Sequence, residues 1–322
     1  MNRFVPDISK KITSKEIFNL LELKYSEIAP VWMPLQVQWM NEAYRTFNDY
    51  EKFTIVMYLL GKTFETYGIN FVKLNYDEYF NQNQVEIKSL NLMEIANSLN
   101  IPKETARRKI NELEALGTIK RLKKKIIIDR ATWPNIKPQD TMIRVSRFLS
   151  TLSKILYDEE LIEKEFSSEQ IINTAKENFS YVWKIYYDMQ MPMLLNFKKI
   201  LNDIESFHIW GICVVNQALN SKKNDNTQMS KEYYLEKFFF STNKLGINAM
   251  SISDISGIPR VTAIRKLNKL IKKKFLKIDE KKHYLTTGVH QKKLLIIQKK
   301  NFENLSTFAA ILFNLCLENN SK

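Results

Sequence analysis

Ile101-Pro102-Lys103-Glu104-Thr105-Ala106-Arg107-Arg108-Lys109-Ile110-Asn111-Glu112-Leu113 returns later in the chain as Ile258-Pro259-Arg260-Val261-Thr262-Ala263-Ile264-Arg265-Lys266-Leu267-Asn268-Lys269-Leu270. Across residues 90–120 and 247–277, twelve of 31 aligned positions are identical. Each stretch reads as a helix-turn-helix. Leu92–Leu99 and Ala249–Ser256 supply the first helix, and Lys103–Leu116 and Arg260–Lys273 the second. Asn100 and Gly257 suit the positive-φ residue of the turn, and Pro102 and Pro259 suit the opening of the next helix. Ala106, Ile110 and Leu113 fall at i, i+4 and i+7, an inward stripe that Ala263, Leu267 and Leu270 repeat. The other face carries Thr105, Arg108, Lys109 and Asn111, matched by Thr262, Arg265, Lys266 and Asn268.

The match extends outward. Ser14, Ile17, Asn19 and Ser26 align with Ser168, Ile171, Asn173 and Ser180. Asn48-Asp49-x-Glu51-x-Phe53 aligns with Asn202-Asp203-x-Glu205-x-Phe207, and Leu149-Ser150-Thr151 with Leu305-Ser306-Thr307. The repeated Asn-Asp-x-Glu reads as a helix cap, with Asn48 and Asn202 at the N-cap and Glu51 and Glu205 closing a capping box before an apolar helix from about Tyr50 to Thr66 and its counterpart. A catalytic acid pair is the weaker reading, because capping already explains the spacing. Helices are also expected over Ser14–Tyr25 and Val37–Phe47. Asn75–Ser89 and Lys222–Lys244 read as polar, partly helical connectors.

After each helix-turn-helix comes a hairpin pattern. Ile119–Leu122 and Ile126–Ile128 flank Lys123-Lys124-Lys125, while Leu276–Ile278 and His283–Leu285 flank Asp279–Lys282. A long apolar helix ends each unit, Met142–Tyr157 and Lys293–Leu317. The expected fold is therefore mainly α: two tandem winged-helix domains, each with a small β-hairpin wing, related by a pseudo-two-fold internal duplication. The first unit covers 1–160 (helix-turn-helix 90–117, wing 118–129, packing helix 142–157). The second covers 161–322 (helix-turn-helix 247–274, wing 275–286, packing helix 293–317). A unit near 155 residues is a normal domain size. The two packing helices are expected to pack together and set the spacing of the two heads.

The chain of 322 residues carries a net charge of +14, and its distribution is informative. Residues 101–125 hold nine basic and three acidic residues; residues 258–282 hold ten and two; everything outside these windows balances to neutrality. A solvated helix face does not predict that the whole excess sits at the same place in both copies, whereas phosphate binding does. The chain has 7 Gly and 8 Pro, few for a turn-rich β architecture. Its longest apolar run, Phe308–Leu317, is broken by Asn314 and too short to span a bilayer. Met1–Asp7 has no apolar signal core, so a cytoplasmic protein is expected. Cys213 and Cys316 lie in apolar helical stretches and read as buried reduced thiols. His208, His283 and His290 lack metal-ligand spacing, so neither metal nor cofactor is expected.

The stretch Ile101–Ile119 resembles the recognition helix and first wing strand of bacterial winged-helix regulators of the cyclic-AMP-receptor, MarR and IclR types. In the first of these a basic residue is followed by Glu-Thr and, three residues after the Thr, by Arg; Lys103, Glu104, Thr105 and Arg108 hold those positions. The resemblance implies base reading in the major groove. Arg or Lys pairs with guanine O6/N7, and Glu accepts from cytosine N4. The second copy keeps Arg260, Thr262 and Arg265 but has Val261 in place of the Glu. Val accepts no hydrogen bond but can touch a thymine methyl, so two related but unequal half-sites are expected. The DNA-facing set is Lys103, Glu104, Thr105, Arg107, Arg108, Lys109, Asn111, Arg121, Lys123, Lys124 and Lys125, with Arg260, Val261, Thr262, Arg265, Lys266, Asn268, Lys269, Lys281 and Lys282.

The expected function is that of a sequence-specific transcription regulator, with double-stranded DNA as partner and one chain acting as a pseudo-dimer on a bipartite site. Plasmid-type replication initiators also resemble joined winged helices and stand as the alternative. A winged-helix protein-interaction adaptor is the third reading, disfavoured by the basic charge. Self-association is compatible with these readings, and the sequence names no effector. Phosphate-loop, nucleophile-elbow and metal patterns are missing, which argues against an enzyme. Trp32, Trp39, Trp183 and Trp210 read as core residues before pocket residues, and Trp133 as an anchor after the first wing.

Overall fold

The computed structural model describes residues 11–88, 91–123, 125–129, 137–222, 229–240 and 245–320. Trp133 and Lys124 lie outside the described residues. The chain is mainly helical, with two small antiparallel sheets. The first half runs α1 (Ser14–Leu23), α2 (Tyr25–Phe47), α3 (Tyr50–Ile69), α4 (Tyr76–Phe80), β1 (Gln84–Lys88), α5 (Leu92–Leu99), α6 (Lys103–Ala115), β2 (Ile119–Leu122), β3 (Lys125–Asp129) and α7 (Gln139–Asp158). The second half runs α8 (Ser168–Glu177), α9 (Phe179–Leu201), α10 (Ile204–Lys222), α11 (Lys231–Phe240), α12 (Ala249–Ser256), α13 (Arg260–Lys272), β4 (Leu276–Ile278), β5 (Tyr284–Thr286) and α14 (Gln291–Asn320).

Local chemistry explains where the long helices begin. The Thr13 hydroxyl accepts from the Glu16 amide and Glu16 returns the bond to Thr13, a capping box that starts α1; Ser167 and Gln170 do the same for α8. At the third helix the cap is one residue later than the sequence pattern suggests. Asp49 accepts from the Glu51 and Lys52 amides, while Asn48 is left-handed (φ 50°) and closes α2. The tight α2–α3 junction needs Asn48 for its backbone, which leaves the capping role to Asp49. The second helix is also longer than expected. It begins at Tyr25 and runs through Pro30 and Pro34, and α9 likewise contains Pro192. Each Pro removes one backbone hydrogen bond. Burial of Trp32, Leu35 and Met40 on α2, and of Met189, Met193 and Leu194 on α9, offsets that loss.

The two halves interlock. α2 lies on α10 and α3 on α9, so the central helices of one half pack across those of the other. The terminal helices do not take each other as main partners, contrary to expectation. α7 lies on α8 and α2, whereas α14 lies on α1, α8 and α9. Each terminal helix therefore covers the first helix of the opposite half. The buried side chains form one continuous cluster. Trp32, Trp39, Trp183 and Trp210 are all buried in it, and Cys213 and Cys316 are buried and unbridged.

A buried polar chain crosses this interlock. The Tyr50 hydroxyl lies 2.9 Å from His208 Nδ1 and 2.9 Å from the Met40 carbonyl, and His208 Nε2 lies 2.7 Å from Asn41 Oδ1. Burial holds the His208 imidazole neutral by pushing its pKa down to about 3. The unfolded chain takes up this proton near pH 6.5, before the folded chain does, so stability falls as pH drops below that point. Between pH 7 and pH 5 the loss is about 2 kcal/mol, from roughly 1.4 kcal/mol per pH unit. Urea unfolding of the native chain should show this loss, and His208→Gln should remove most of it. Equal pH slopes for the two proteins would contradict the neutral buried histidine.

Candidate nucleic-acid interface

In the first head, the Asn91 side chain caps α5 by accepting from the Met93 amide, and left-handed Asn100 (φ 50°) ends it. Ile101 turns inward and Pro102 opens α6. In the second head, Asn248 caps α12, Gly257 (φ 74°) ends it, and Pro259 opens α13. Ala106, Ile110 and Leu113 are buried, as are Ala263, Leu267 and Leu270. These stripes seat α6 against α3 and α13 against α10.

The opposite faces are open. Lys103, Glu104, Arg107, Arg108 and Asn111 are exposed on α6, as are Arg260, Val261, Arg265, Asn268 and Lys269 on α13; Thr105 and Thr262 are half-buried. Two expected members of the outward set are turned inward. Lys109 Nζ donates to Asp49 Oδ2 at 2.5 Å and Glu112 Oε2 at 3.2 Å, with its side chain 8% exposed. Lys266 Nζ meets Asp203 Oδ1 at 2.8 Å and Glu205 Oε2 at 3.4 Å. Both lysines border the buried stripe, and the capped start of the preceding long helix lies opposite. Burial works against the Lys109 charge, but hydrogen bonds to Asp49 and Glu112 hold its pKa above the ordinary lysine value. At Asp203 burial is again the largest opposing effect, and Lys266 with Ser206 brings the pKa below the usual carboxylate range. These lysines are clamps between each outward helix and the core.

A further contact was not visible as a motif. Lys198, on α9, donates to the Leu99 and Asn100 carbonyls at 3.0 and 2.9 Å, completing the C-terminal end of α5 in the other half. Burial lowers its pKa. In the second head, the turn at Gly257 sits over Tyr44 and Arg45 of α2. Each head's turn thus rests on a long helix of the opposite half. Lysine near an apolar stretch gives no pairing signal in sequence, so only the fold reveals this.

The hairpin expected as the first wing belongs to a three-stranded sheet in the order β1-β3-β2. β1 falls in the expected connector. Val85 and Ile87 alternate with polar residues and are buried, a period-two signal too short to stand out from its polar surroundings. Where the second wing is expected, β4 pairs with β5, with an isolated bridge from Ile247 to Tyr284. Lys123, Lys281 and Lys282 are exposed near the wing tips.

The heads differ in electrostatics. In the first, Arg107 pairs with Glu104 (3.3 Å), Arg108 with Glu112 (3.0 Å), Arg121 with Glu114, and Lys125 with Glu86 (2.6 Å). Arg121 also donates to Asn111 Oδ1 at 2.8 Å. In the second, Arg260, Arg265, Lys281 and Lys282 have no carboxylate partner among the described residues, and Lys269 approaches Asp203 at 4.0 Å. Among the described residues, the first head pairs its arginines with carboxylates and the second leaves Arg260 and Arg265 without one.

The clamp is directly testable. Lys109→Met keeps the stem but strips Asp49 of its lysine partner, while Glu112 keeps Lys52 and Arg108, and should cost about 2 kcal/mol in urea unfolding. The exposed neighbour Arg108→Met should change stability by no more than about 0.5 kcal/mol. Equal costs would show that Lys109 is not a structural ion-pair partner.

The family described as the DeoR-like helix-turn-helix domain matches residues 85–124, from β1 through the first wing tip. The match is to this family and not to the cyclic-AMP-receptor, MarR or IclR types expected from the α6 residues. No curated protein and no solved structure gives a significant match to the chain. Among the described residues no helix is long and apolar enough to cross a membrane. The similarity of residues 85–124 to a DeoR-like helix-turn-helix domain supports a DNA-binding transcription regulator.

Proposed function

We propose that the chain is a sequence-specific double-stranded DNA-binding transcription regulator made of two tandem winged-helix units, 1–160 and 161–322, acting as a single-chain pseudo-dimer on a bipartite site. The supporting observation is the recurrence of the same positioning devices at aligned places in both halves. Left-handed residues fall at Asn48 and Asn202, at Asn100 and Gly257, and at Gly117 and Lys274. An inward-turned lysine on each recognition helix, buried in Lys109 and partly buried in Lys266, grips the capping aspartate of the preceding long helix, Lys109 to Asp49 and Lys266 to Asp203. The outward faces that remain are those the net charge singles out.

On this reading Lys103, Glu104, Thr105, Arg107, Arg108 and Asn111 enter one major groove, and Arg260, Val261, Thr262, Arg265, Asn268 and Lys269 another. Arg121, Lys123, Lys125, Lys281 and Lys282 of the wings approach the phosphates. Lys109 and Lys266 leave the DNA-facing set, because their ammonium groups are engaged inside. Val261 is 81% exposed, an unusual position for a large apolar side chain on a polar helix face. A thymine methyl is the partner its chemistry fits. The unpaired Lys281 and Lys282 suit the second head to phosphate anchoring, and the paired arginines of the first head suit it to selective reading after their ion pairs exchange for base contacts.

Two measurements follow. Arg108→Ala and Arg265→Ala should each relax specificity in a different half-site, at about 1–3 kcal/mol, as read from binding to systematically substituted duplexes. Loss in the same half-site from both changes would contradict the pseudo-dimer. Affinity should fall steeply with salt, and Lys281→Gln or Lys282→Gln should each reduce the log–log salt slope by about one. A shallow slope in the native chain would contradict phosphate contacts by the heads.

A further inference from the structure

A cavity of about 120 Å³ lies where α2, α9, α10, α11 and α14 converge. Its wall is mostly apolar and aromatic, including Trp32, Phe197 and Trp210, and none of its lining residues is charged. Into this apolar setting come three polar side chains. Both amide atoms of Gln36, the Tyr234 hydroxyl and Asn301 Oδ1 are buried and lack hydrogen-bond partners among the described residues. Gln36 and Asn301 are each 7% exposed. Buried polar atoms are ordinarily satisfied, so four such atoms on one cavity point to an absent bonding partner. Burial pushes the Tyr234 hydroxyl up to about 12, leaving it a neutral donor.

The space itself is built into the sequence. Gly211 lies within α10, where a glycine weakens a helix relative to alanine. A Cβ there would meet Val37 Cγ2 at 3.6 Å, an ordinary contact. Sterics therefore do not require glycine at this position, and its lack of a side chain keeps the cavity wall open.

We infer that this cavity is a binding site for a small neutral aromatic molecule, one ring carrying a group that both donates and accepts a hydrogen bond, such as a phenol. An apolar cavity of this order accommodates a benzene-sized ring. The uncharged wall excludes carboxylates and amines, and the Gln36 amide supplies a donor and an acceptor side by side. The site also borders α2 and α10, against which the second head's α12 and α13 rest. Occupancy therefore acts on the seating of that head, a regulatory role that depends on the DNA-binding reading above.

Titration calorimetry of the full chain with phenol and with benzene tests the site without DNA, so its failure is distinct from failure of the DNA reading. Phenol should bind at least tenfold more tightly than benzene. Gln36→Leu, which replaces an unsatisfied amide by an apolar side chain of similar size, should still fold, keep benzene binding and lose the phenol preference. Gly211→Ala should weaken both. No binding of either ring, or a phenol preference that survives Gln36→Leu, would overturn the site. DNA affinity unchanged by saturating phenol would overturn its regulatory role.

Discussion

The lysine–aspartate clamp sets the position of each outward helix. α6 and α13 are short amphipathic helices whose apolar stripes are narrow, so packing alone leaves them free to slide or roll. Lys109 on Asp49 and Lys266 on Asp203 fix both rotation and height. The anchoring aspartate is itself fixed, because it caps the next long helix. A charge buried in this way is costly to strand, which makes the clamp a constraint on geometry more than a large net source of stability. The long helices then cross between halves, α2 on α10 and α3 on α9, so the two heads are referenced to one common core.

On the proposed reading, that arrangement gives one chain what two subunits of a dimer usually supply, while allowing the halves to differ. Val261 stands where the other copy has Glu104. Among the described residues, the first head pairs its arginines with carboxylates and the second leaves Arg260 and Arg265 without one. Even the core is asymmetric, since the Tyr50–His208–Asn41 chain crosses the interlock in one direction. A homodimer could not diverge in this way without altering both subunits at once. The aromatic cavity lies beside the same crossing helices, where a bound ring changes how one head is seated relative to the other.

Much of this was legible in residue order. The helix-turn-helix positions, the αL turn residues and the inward stripes followed from spacing, because 3.6-residue periodicity and turn chemistry are local. Hairpin strands β2 and β3 followed for the same reason. What escaped was non-local. Lys109 looked like any other basic residue beside Arg108; only the approach of α3 shows that its ammonium points inward. Lys198 caps a turn nearly a hundred positions away in sequence, and β1 is a strand because β3 is there to pair with it. Asp49 displaced Asn48 as the cap because the tightness of the preceding junction is a tertiary fact. The partners of α7 and α14 could not be chosen from two equally apolar helices.

The central claim is that one chain holds two unequal reading heads at a fixed separation. Selection of the full chain on random-sequence duplex DNA measures this most directly. The account predicts enrichment of a bipartite site with two related but non-identical halves, their centres about one helical turn or a multiple of it apart. Enrichment of a single undivided half-site, or two halves at freely varying spacing, would contradict it.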